Sequence, residues 1–332
     1  MKKIISLTLI LLVLTSTLLS CGLFNKSQDD GKIRIGYMAG PTGMGMAKLI
    51  SDNGGLENGN DKYSFKKYAD TAAAKADLAA GNIDLICLPT NEAADYFNKI
   101  SSNVQVLAIN CLNSLYLLTD KSTDVTSLSD LNGQTVYTCK NGTPRMVLEY
   151  IVKALNLNIE VSYTYDGKTI VTPAELSALV IAGKLPNAVM PEPLVTSSLL
   201  SIAKNADTSI SYSVDVNMTD EWNKVCSTPV TMGCIVANKD FVSENKDKID
   251  SFLDEYKASI EYISAPANID SAANYVVETG VMGAAPAAKK ALTNLGSAIS
   301  YIDGQDMKNA LIAFYNAIGI TSLPSDDFYY EK

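Results

Sequence analysis

Apolar and polar residues alternate along residues 33–37, and this two-residue period predicts a half-buried strand. The strand leads into the glycine-rich stretch MAGPTGMGMAK (38–48), after which a helix is expected. A strand, a glycine-rich turn and a helix in this order predict the start of a βαβ unit.

A second helix start is predicted near the middle of the chain. Thr143 is a suitable N-cap residue, and Pro144 then occupies the first helical position, where proline is favoured. Apolar residues recur on one face of the predicted helix, at Val147, Leu148, Ile151 and Leu155.

Two other helices are marked at both ends. Thr172 and Glu175 form a capping box at the start of a helix that ends at Gly183. An earlier alanine-rich helix opens at Thr71 and ends at Gly81. Both therefore finish with a glycine, the residue that most readily takes the left-handed conformation after a helix.

The segments after these two glycines form a repeat. Gly81 precedes Pro89 by eight residues, and Gly183 precedes Pro191 by the same number. The second segment begins 102 residues after the first. The offset extends roughly to the strand, helix and strand upstream of each glycine. We therefore predict an α/β protein with two βαβαβ lobes, each built on a mixed, mostly parallel sheet.

Two strand-like segments connect the predicted lobes. Residues 103–120 are long and apolar and would carry the chain from the first lobe to the second, and residues 228–241 would return it. The helical C-terminal part is then expected to pack on the first lobe. We predict that residues 32–115 and 233–332 form lobe 1, that residues 116–232 form lobe 2, and that a ligand cleft lies between them.

The N-terminus predicts export. Two lysines precede an apolar run that ends at Cys21, so residues 1–20 are interpreted as a secretory signal peptide. The ending LLSC fits a bacterial lipobox, in which Cys21 becomes the lipidated first residue of the mature chain. The alternatives are an ordinary signal peptide with a chance cysteine and a membrane-spanning anchor. Residues 21–31 are expected to form a polar tether.

The charge balance excludes whole function classes. The chain has 27 basic and 36 acidic residues, and its only arginines are Arg34 and Arg145. Without a basic face, binding to nucleic acid is not expected.

The sequence contains no histidine, which removes Ser-His-Asp and Cys-His nucleophile systems and imidazole zinc sites. We expect neither a metal nor a cofactor.

The remaining cysteines do not predict a disulfide framework. After Cys21 there are five, an odd number, scattered along the chain. Cys87, Cys111 and Cys139 lie in apolar runs and are expected to be buried thiols. A bridge between Cys226 and Cys234 is an open alternative.

The glycine-rich stretch at 38–48 fails as a nucleotide loop. Gly45 is the second glycine of a Walker A spacing, but Met46 stands where lysine is required. A dinucleotide pattern beginning at Gly43 would need a glycine at Lys48. The physics of the location remains, because a strand-to-helix turn exposes backbone N–H groups at the positive end of a helix.

The chain resembles the solute-binding proteins of bacterial ATP-driven importers. The similarity rests on the segments KIRIGYMAGPTGMGMAKL, AAGNIDLICLPTNEA, LSDLNGQTV and AVMPEPLV, and it covers about residues 32–240. These segments are similar to the nitrate, sulfonate and thiamine-pyrimidine (NitT/TauT-like) branch. The resemblance implies the second topological type of periplasmic-binding-protein fold, with two lobes joined by a two-crossing hinge. A basic cluster for an inorganic anion and a cysteine-rich signature for a pyrimidine are both missing from this sequence.

Candidate ligand residues lie at the ends of the predicted strands, where a parallel sheet opens onto a cleft. Each also has a structural interpretation: a tight turn with core methionines in the first loop, helix capping by Asn91, ion pairing by Arg145, and interlobe contact by Glu192. Trp222 is either a stacking platform or part of the core. The candidates are Thr42, Gly43, Met44, Thr90, Asn91, Asn113, Tyr116, Asn141, Thr143, Arg145, Glu192, Trp222 and Thr228.

The sequence predicts a lipid-anchored, monomeric solute-binding protein and not an enzyme. It would deliver a small organic molecule to the permease and ATPase of an ABC importer, with a heterocyclic metabolite or vitamin precursor favoured and a sulfonate or carboxylate next. Two alternatives stay open. One is an enzyme on the same fold, similar to a menaquinone-biosynthesis dehydratase, with Glu92 and Glu192 as paired carboxylates. The other is a ligand-sensing lipoprotein that signals to a membrane receptor.

Overall fold

The computed structural model describes residues 31–58, 60–121, 124–205, 207 and 209–332 of the chain. The predicted signal peptide, the lipidation site at Cys21 and almost all of the tether lie outside the described residues. Within the described part, no helix combines the length and the apolar character needed to cross a bilayer.

Two sheets organise the described chain, and the first has six strands in the order β13-β4-β12-β3-β1-β2. Its strands are β1 (Ile33–Met38), β2 (Tyr63–Tyr68), β3 (Leu85–Pro89), β4 (Val104–Leu112), β12 (Thr231–Asn238) and β13 (Ile299–Ile302). β1 is parallel to β2 and to β3, whereas β12 is antiparallel to β3 and β4, and β13 is antiparallel to β4. Four of the six strands therefore run in one direction.

The second sheet has five strands in the order β11-β5-β10-β6-β7. They are β5 (Leu115–Asp120), β6 (Thr135–Tyr137), β7 (Glu160–Ser162), β10 (Asn187–Pro191) and β11 (Tyr212–Asn217). Only β5 runs against the rest. A short hairpin of β8 (Thr164–Tyr165) and β9 (Lys168–Thr169) accompanies this sheet. The predicted α/β class with mixed, mostly parallel sheets is confirmed.

Helices cover the sheets and fill the C-terminal part. The described α-helices are α1 (Pro41–Asp52), α2 (Gly55–Asn58), α3 (Thr71–Ala79), α4 (Thr90–Lys99), α5 (Thr143–Ala154), α6 (Pro173–Ile181), α7 (Leu194–Ile202), α8 (Met218–Asn223), α9 (Lys239–Glu244), α10 (Lys246–Ser264), α11 (Ile269–Glu278), α12 (Ala285–Leu295) and α13 (Gly304–Ala317). The long helix α10 packs against α1 and β13, so the C-terminal helices complete the layer over the first sheet.

The predicted repeat is confirmed by the element bounds. Helix α1 begins at 41 and α5 at 143, α3 begins at 71 and α6 at 173, and β3 begins at 85 and β10 at 187. Each pair is separated by about 102 residues. The glycines after α3 and α6 have the same left-handed conformation, with φ of 72° at Gly81 and 67° at Gly183.

The two predicted helix starts with a threonine cap differ in outcome. The N-cap of α5 is Gly142, with φ of 98°, and Thr143 is the first helical residue. The prediction that Thr143 caps this helix is therefore wrong, because its hydroxyl is bonded elsewhere. The capping box is confirmed: Thr172 Oγ1 accepts a hydrogen bond from the Glu175 N–H at 3.2 Å, and the Glu175 carboxylate accepts one from the Thr172 N–H at 2.9 Å.

The two connections between the sheets lie side by side. One joins β4 to β5 through residues 113–114, and the other runs from α8 to β12. Asn113 ties them together, since its N–H donates to the Val230 carbonyl at 3.0 Å and its side chain accepts from the Val230 N–H at 3.0 Å. Its φ of 41° lies in the left-handed region, which asparagine tolerates better than most residues.

Candidate functional site

Four helices start where parallel strands end. In the first sheet β1 leads to α1 and β3 to α4, and in the second β6 leads to α5 and β10 to α7. The strands of each pair are parallel neighbours, so their carboxyl ends lie at one edge of each sheet. None of the four helices has a side-chain bond from its N-cap residue. The starts of α1, α4 and α5 therefore have no side-chain cap, at places where a parallel sheet commonly binds ligands, whereas α7 has the Glu192 carboxylate as an acceptor for the Thr196 N–H.

The glycine-rich turn of the first edge packs mostly on its own sheet. Met44 and Met46 are fully buried in the core. A Cβ on Gly43 would lie 2.2 Å from the Met38 carbonyl oxygen, so this glycine is required by the turn itself. Thr42 is half-buried, and its methyl group packs on the backbone of Gly233. The placements of Gly43 and Met44 favour the structural interpretation of these two candidates.

The loop after β3 makes the first contact between the two edges. Asn91 accepts a hydrogen bond on Oδ1 from the Thr143 hydroxyl at 2.9 Å, and both side chains are buried. The interpretation that Asn91 caps its own helix is wrong, because α4 already begins at Thr90. The Thr90 hydroxyl donates to the Thr231 carbonyl at 2.6 Å, which fixes it within the first sheet.

The remaining candidates of the second glycine turn, Asn141 and Arg145, differ in exposure. Asn141 is exposed. Arg145 lies 3.8 Å from the Glu149 carboxylate and 5.7 Å from the centre of the Tyr163 ring. The Glu149 contact matches the ion-paired interpretation, but Arg145 Nε is buried and has no hydrogen-bond partner in the described chain.

Glu192 joins the second edge to helix α12. Its carboxylate is 1% exposed and accepts from the Thr196 N–H at 3.1 Å, from the Thr196 hydroxyl at 2.9 Å and from the Asn294 amide at 2.7 Å. Burial raises the pKa of Glu192, and the hydrogen bonds from Asn294 and Thr196 oppose that shift. The Tyr116 hydroxyl donates to the Asn294 carbonyl at 2.7 Å.

Asn294 is a site residue that the sequence did not predict. It lies in the last turn of α12, some 100 residues from Glu192 in the chain, and helix α12 packs against α7. The sequence of α12 contains an ordinary amphipathic pattern and nothing that pairs Asn294 with a particular carboxylate.

Trp222 belongs to the core. It is fully buried, its ring centroid is 4.9 Å from that of Tyr150 and 5.7 Å from that of Phe314, and its Nε1–H donates to the Thr228 carbonyl at 2.6 Å. This placement matches the core interpretation, and the backbone of Thr228 satisfies the indole. Cys226, two residues before Thr228, is a free thiol, as is Cys234.

Besides Arg145 Nε, two buried oxygen atoms near the edges have no hydrogen-bond partner within the described part of the chain: Asn110 Oδ1 and Thr138 Oγ1. The Asn110 side chain lies near Thr42, since a Cβ on Gly233 would be 2.7 Å from Asn110 Oδ1 and 2.4 Å from Thr42 Cγ2. Thr138 directly follows β6. Buried polar atoms are rarely left unpaired, so both are suitable partners for a bound molecule.

The two carboxylates considered as a catalytic pair are each bonded to other residues. Glu92 and Glu192 do not form a carboxylate pair, because Glu92 is bonded to Lys75 at 2.6 Å and Glu192 to Thr196 and Asn294. Among the described residues, no group of three or more His, Cys, Asp or Glu side chains could hold a metal ion.

A separate groove of about 630 Å³ lies on the outside of the first sheet. Its lysines are already ion-paired, for example Lys246 with Asp250 at 3.1 Å and Lys308 with Asp326 at 2.9 Å. It is away from both strand edges and is not the candidate site.

Comparison with known proteins identifies the architecture. The family model described as NMT1/THI5 like matches residues 64–268. No curated protein matches the sequence significantly.

Similar solved structures are binding components of transporters. An ABC transporter protein from Parabacteroides distasonis is 21% identical over 90% of this chain and 99% of its own, with a TM-score of 0.68. The periplasmic aliphatic sulphonate-binding protein from Escherichia coli is 16% identical over 90% and 92%, with a TM-score of 0.66. The periplasmic nitrate-binding protein from Synechocystis is 13% identical over 83% and 74%, with a TM-score of 0.58. The second and third of these proteins are named as periplasmic binding proteins, and the predicted resemblance is confirmed.

Proposed function

This chain belongs to the NMT1/THI5-like family, and on that premise we propose that it is an extracytoplasmic solute-binding protein that captures a small organic molecule and delivers it to an ABC importer. The observation that supports this best is the meeting of two strand edges, each bearing helix N-termini, through the Asn91–Thr143 hydrogen bond. A molecule bound between such edges would contact both and stabilise their closed arrangement.

The domain organisation is part of the proposal. Lobe 1 would comprise residues 32–115 and 233–332, and lobe 2 residues 116–232, with the paired connections at Asn113 and Val230 as the hinge. We further propose that lipidated Cys21 anchors a monomer to the membrane and that its partners are a permease and an ATPase. The family and the periplasmic location named for the structural relatives support export.

The ligand class is inferred from the groups at the two edges. Asn110 Oδ1 and Thr138 Oγ1 offer acceptor oxygens without a partner in the described chain, and they match a molecule that donates N–H or O–H hydrogen bonds. Arg145, the only arginine in the second lobe, lies 3.8 Å from the Glu149 carboxylate, and its buried Nε–H is a single donor without a partner in the described chain. We therefore favour a neutral or weakly basic heterocycle over the sulphonate and nitrate named for the structural relatives, with carboxylates ranked after it.

A thermal-shift screen tests the function. The mature protein is heated with heterocyclic vitamin precursors, pyrimidines, purines, aliphatic sulfonates, nitrate and amino acids. A ligand of the native state should raise the melting temperature, with about 2.7 kcal/mol of stabilisation at a concentration 100-fold above its Kd. Asn91→Ala and Thr138→Val should weaken the shift. Ser243→Ala, at an exposed position on the outside of the first sheet, is the matched control.

Two outcomes would contradict the proposal. One is a panel in which no compound changes melting while the purified protein turns a substrate over. The other is a ligand whose stabilisation is lost equally in Ser243→Ala and Asn91→Ala.

A further inference from the structure

Side-chain hydrogen bonds join the two proposed lobes directly. One is the bond from Thr143 to Asn91. Two more converge on Asn294, whose side-chain amide donates to Glu192 at 2.7 Å and whose main-chain carbonyl accepts from the Tyr116 hydroxyl at 2.7 Å. Asn294 lies in the proposed lobe 1, whereas Glu192 and Tyr116 lie in lobe 2.

The lobe 2 half of this contact is held in place by its own surroundings. The Glu192 N–H donates to the Ser114 carbonyl at 2.9 Å, which ties the residue to the first connection. Thr196, in the first turn of α7, donates twice to the carboxylate and orients it. A buried carboxylate needs such donors, since an unpaired one is costly to bury.

Asn294 supplies the donor that comes from the other lobe. The residue is exposed, so it is a surface residue that reaches one buried partner. The charged and titratable groups around Glu192 are Lys290, one turn earlier on α12, together with Tyr116, which also lies near Asp220. An uncharged amide at position 294 therefore joins the two lobes without adding charge to this set.

We propose that Asn294 is the lobe 1 half of a latch that closes on Glu192 and Tyr116 and lets the two lobes meet before any ligand binds. The inference rests on the proposed two-lobed function and describes its regulation. The latch sets the fraction of closed protein, and the apparent affinity for a ligand that binds the closed form changes in proportion to that fraction. Asn294 is a positioning residue in this scheme and need not contact the ligand.

The test measures lobe separation without any ligand. Spin labels are placed at Lys99→Cys in lobe 1 and Lys153→Cys in lobe 2, both exposed, in the mature chain carrying Cys226→Ser and lacking Cys21. Pulsed electron–electron double resonance then gives the distribution of distances between the labels. The compared variants are Asn294→Ala, Asn294→Asp and the control Thr293→Ala, which changes the neighbouring exposed residue on the same helix.

The expected result is a graded loss of the closed population. Asn294→Ala should lower the closed-to-open ratio by about two- to tenfold, the effect of losing the side-chain hydrogen bond to Glu192, while the bond from Tyr116 to the main-chain carbonyl remains. Asn294→Asp should lower it further at about pH 7, because two carboxylates would then face each other, and lowering the pH to about 5 should restore part of it. Thr293→Ala should match the parent protein.

The latch is overturned if the distance distributions of the parent and of Asn294→Asp coincide, or if Thr293→Ala opens the protein as much as Asn294→Asp does. Melting curves of each variant establish that it is folded. Because no ligand is used, a functional screen that finds no ligand leaves this result standing, so the two proposals fail separately.

Discussion

The two glycine turns of the repeat have the same backbone but different surroundings. Gly40 and Gly142 are both N-caps with left-handed φ, of 139° and 98°, and each is followed within two residues by a proline. In the first turn the side chains fold down onto their own sheet, as Met44 does. In the second turn Thr143 reaches Asn91 across the interface.

The difference is clearest at one pair of equivalent positions. Gly43 and Arg145 are about 102 residues apart, and so occupy the same place in the two turns. The Met38 carbonyl oxygen, the Tyr37 ring and Val281, which follows α11, leave no room for a side chain at position 43. At the equivalent position of α5 a half-buried arginine fits. A repeated local motif therefore acquires separate roles through the elements that pack on each copy.

The largest expected effect comes from adding a methyl group to the crowded turn. In a helix, Gly→Ala ordinarily stabilises by up to about 1 kcal/mol. At Gly43 the new Cβ would lie 2.2 Å from the Met38 carbonyl oxygen, so we expect Gly43→Ala to destabilise by about 1–3 kcal/mol. Urea unfolding measures this, and Arg145→Ala, at the equivalent position, should change the free energy of unfolding by less than about 0.5 kcal/mol. Equal effects at the two positions would remove the distinction between the turns.

A smaller effect is expected beneath the first turn. A Cβ on Gly233 would meet Thr42 Cγ2 at 2.4 Å and Asn110 Oδ1 at 2.7 Å. These are side-chain ends that can yield, so Gly233→Ala should destabilise by about 1–2 kcal/mol. Thr42→Ser removes the obstructing methyl group. In a double-mutant cycle, the variant with both changes should lose at least about 0.5 kcal/mol less unfolding free energy than the two single variants lose together. Strict additivity would show that Thr42 does not pack on Gly233.

The smallest effect concerns the second edge and depends on pH. The pKa of Glu192 is raised from its ordinary 4.5, chiefly by burial. The native state then holds its proton at pH values where the unfolded chain has lost it. The contribution of Glu192 to the free energy of unfolding is present below about pH 4.5 and is lost as the pH rises through the raised native pKa. The stability of the parent protein relative to Glu192→Gln should therefore fall across that range and then become constant.

Glu175 provides a control of opposite sign. Backbone hydrogen bonds from Thr172 and Val171 lower its pKa. Glu175 should therefore stabilise the parent relative to Glu175→Gln above about pH 4.5, and this stabilisation should be lost as the pH falls through the lowered native pKa. If both comparisons change with pH in the same direction, the burial of Glu192 is not what perturbs it.

Much of the fold could be predicted because its signals are local. The capping box at Thr172 and the glycines that end α3 and α6 depend on neighbours within a few positions. The offset of about 102 residues is visible because such local signals occur in both copies. The sequence pattern places the N-cap of α5 one residue too late, because both Gly142 and Thr143 suit a cap. The hydroxyl of Thr143 is instead used by Asn91, which is distant in sequence.

The candidate site was predicted less completely, since its residues meet across long stretches of chain. Trp222 sits in a polar segment that suits a surface aromatic, and only the rings of Tyr150 and Phe314 make it a core residue. For Glu192 the sequence leaves two alternatives open, ligand contact and interlobe contact. Its bond to Asn294 supports the second in this structure.

Periodicity and capping were sufficient to determine the duplicated βαβαβ units, their chain order and the positions of the turns at the strand edges. These properties arise from interactions within a few residues, which any copy of the segment would repeat. Packing between distant elements decided which turn is covered, which hydroxyl crosses the interface and which amide meets the buried carboxylate. Such contacts depend on how the C-terminal helices return to the first sheet, and no local pattern encodes that path.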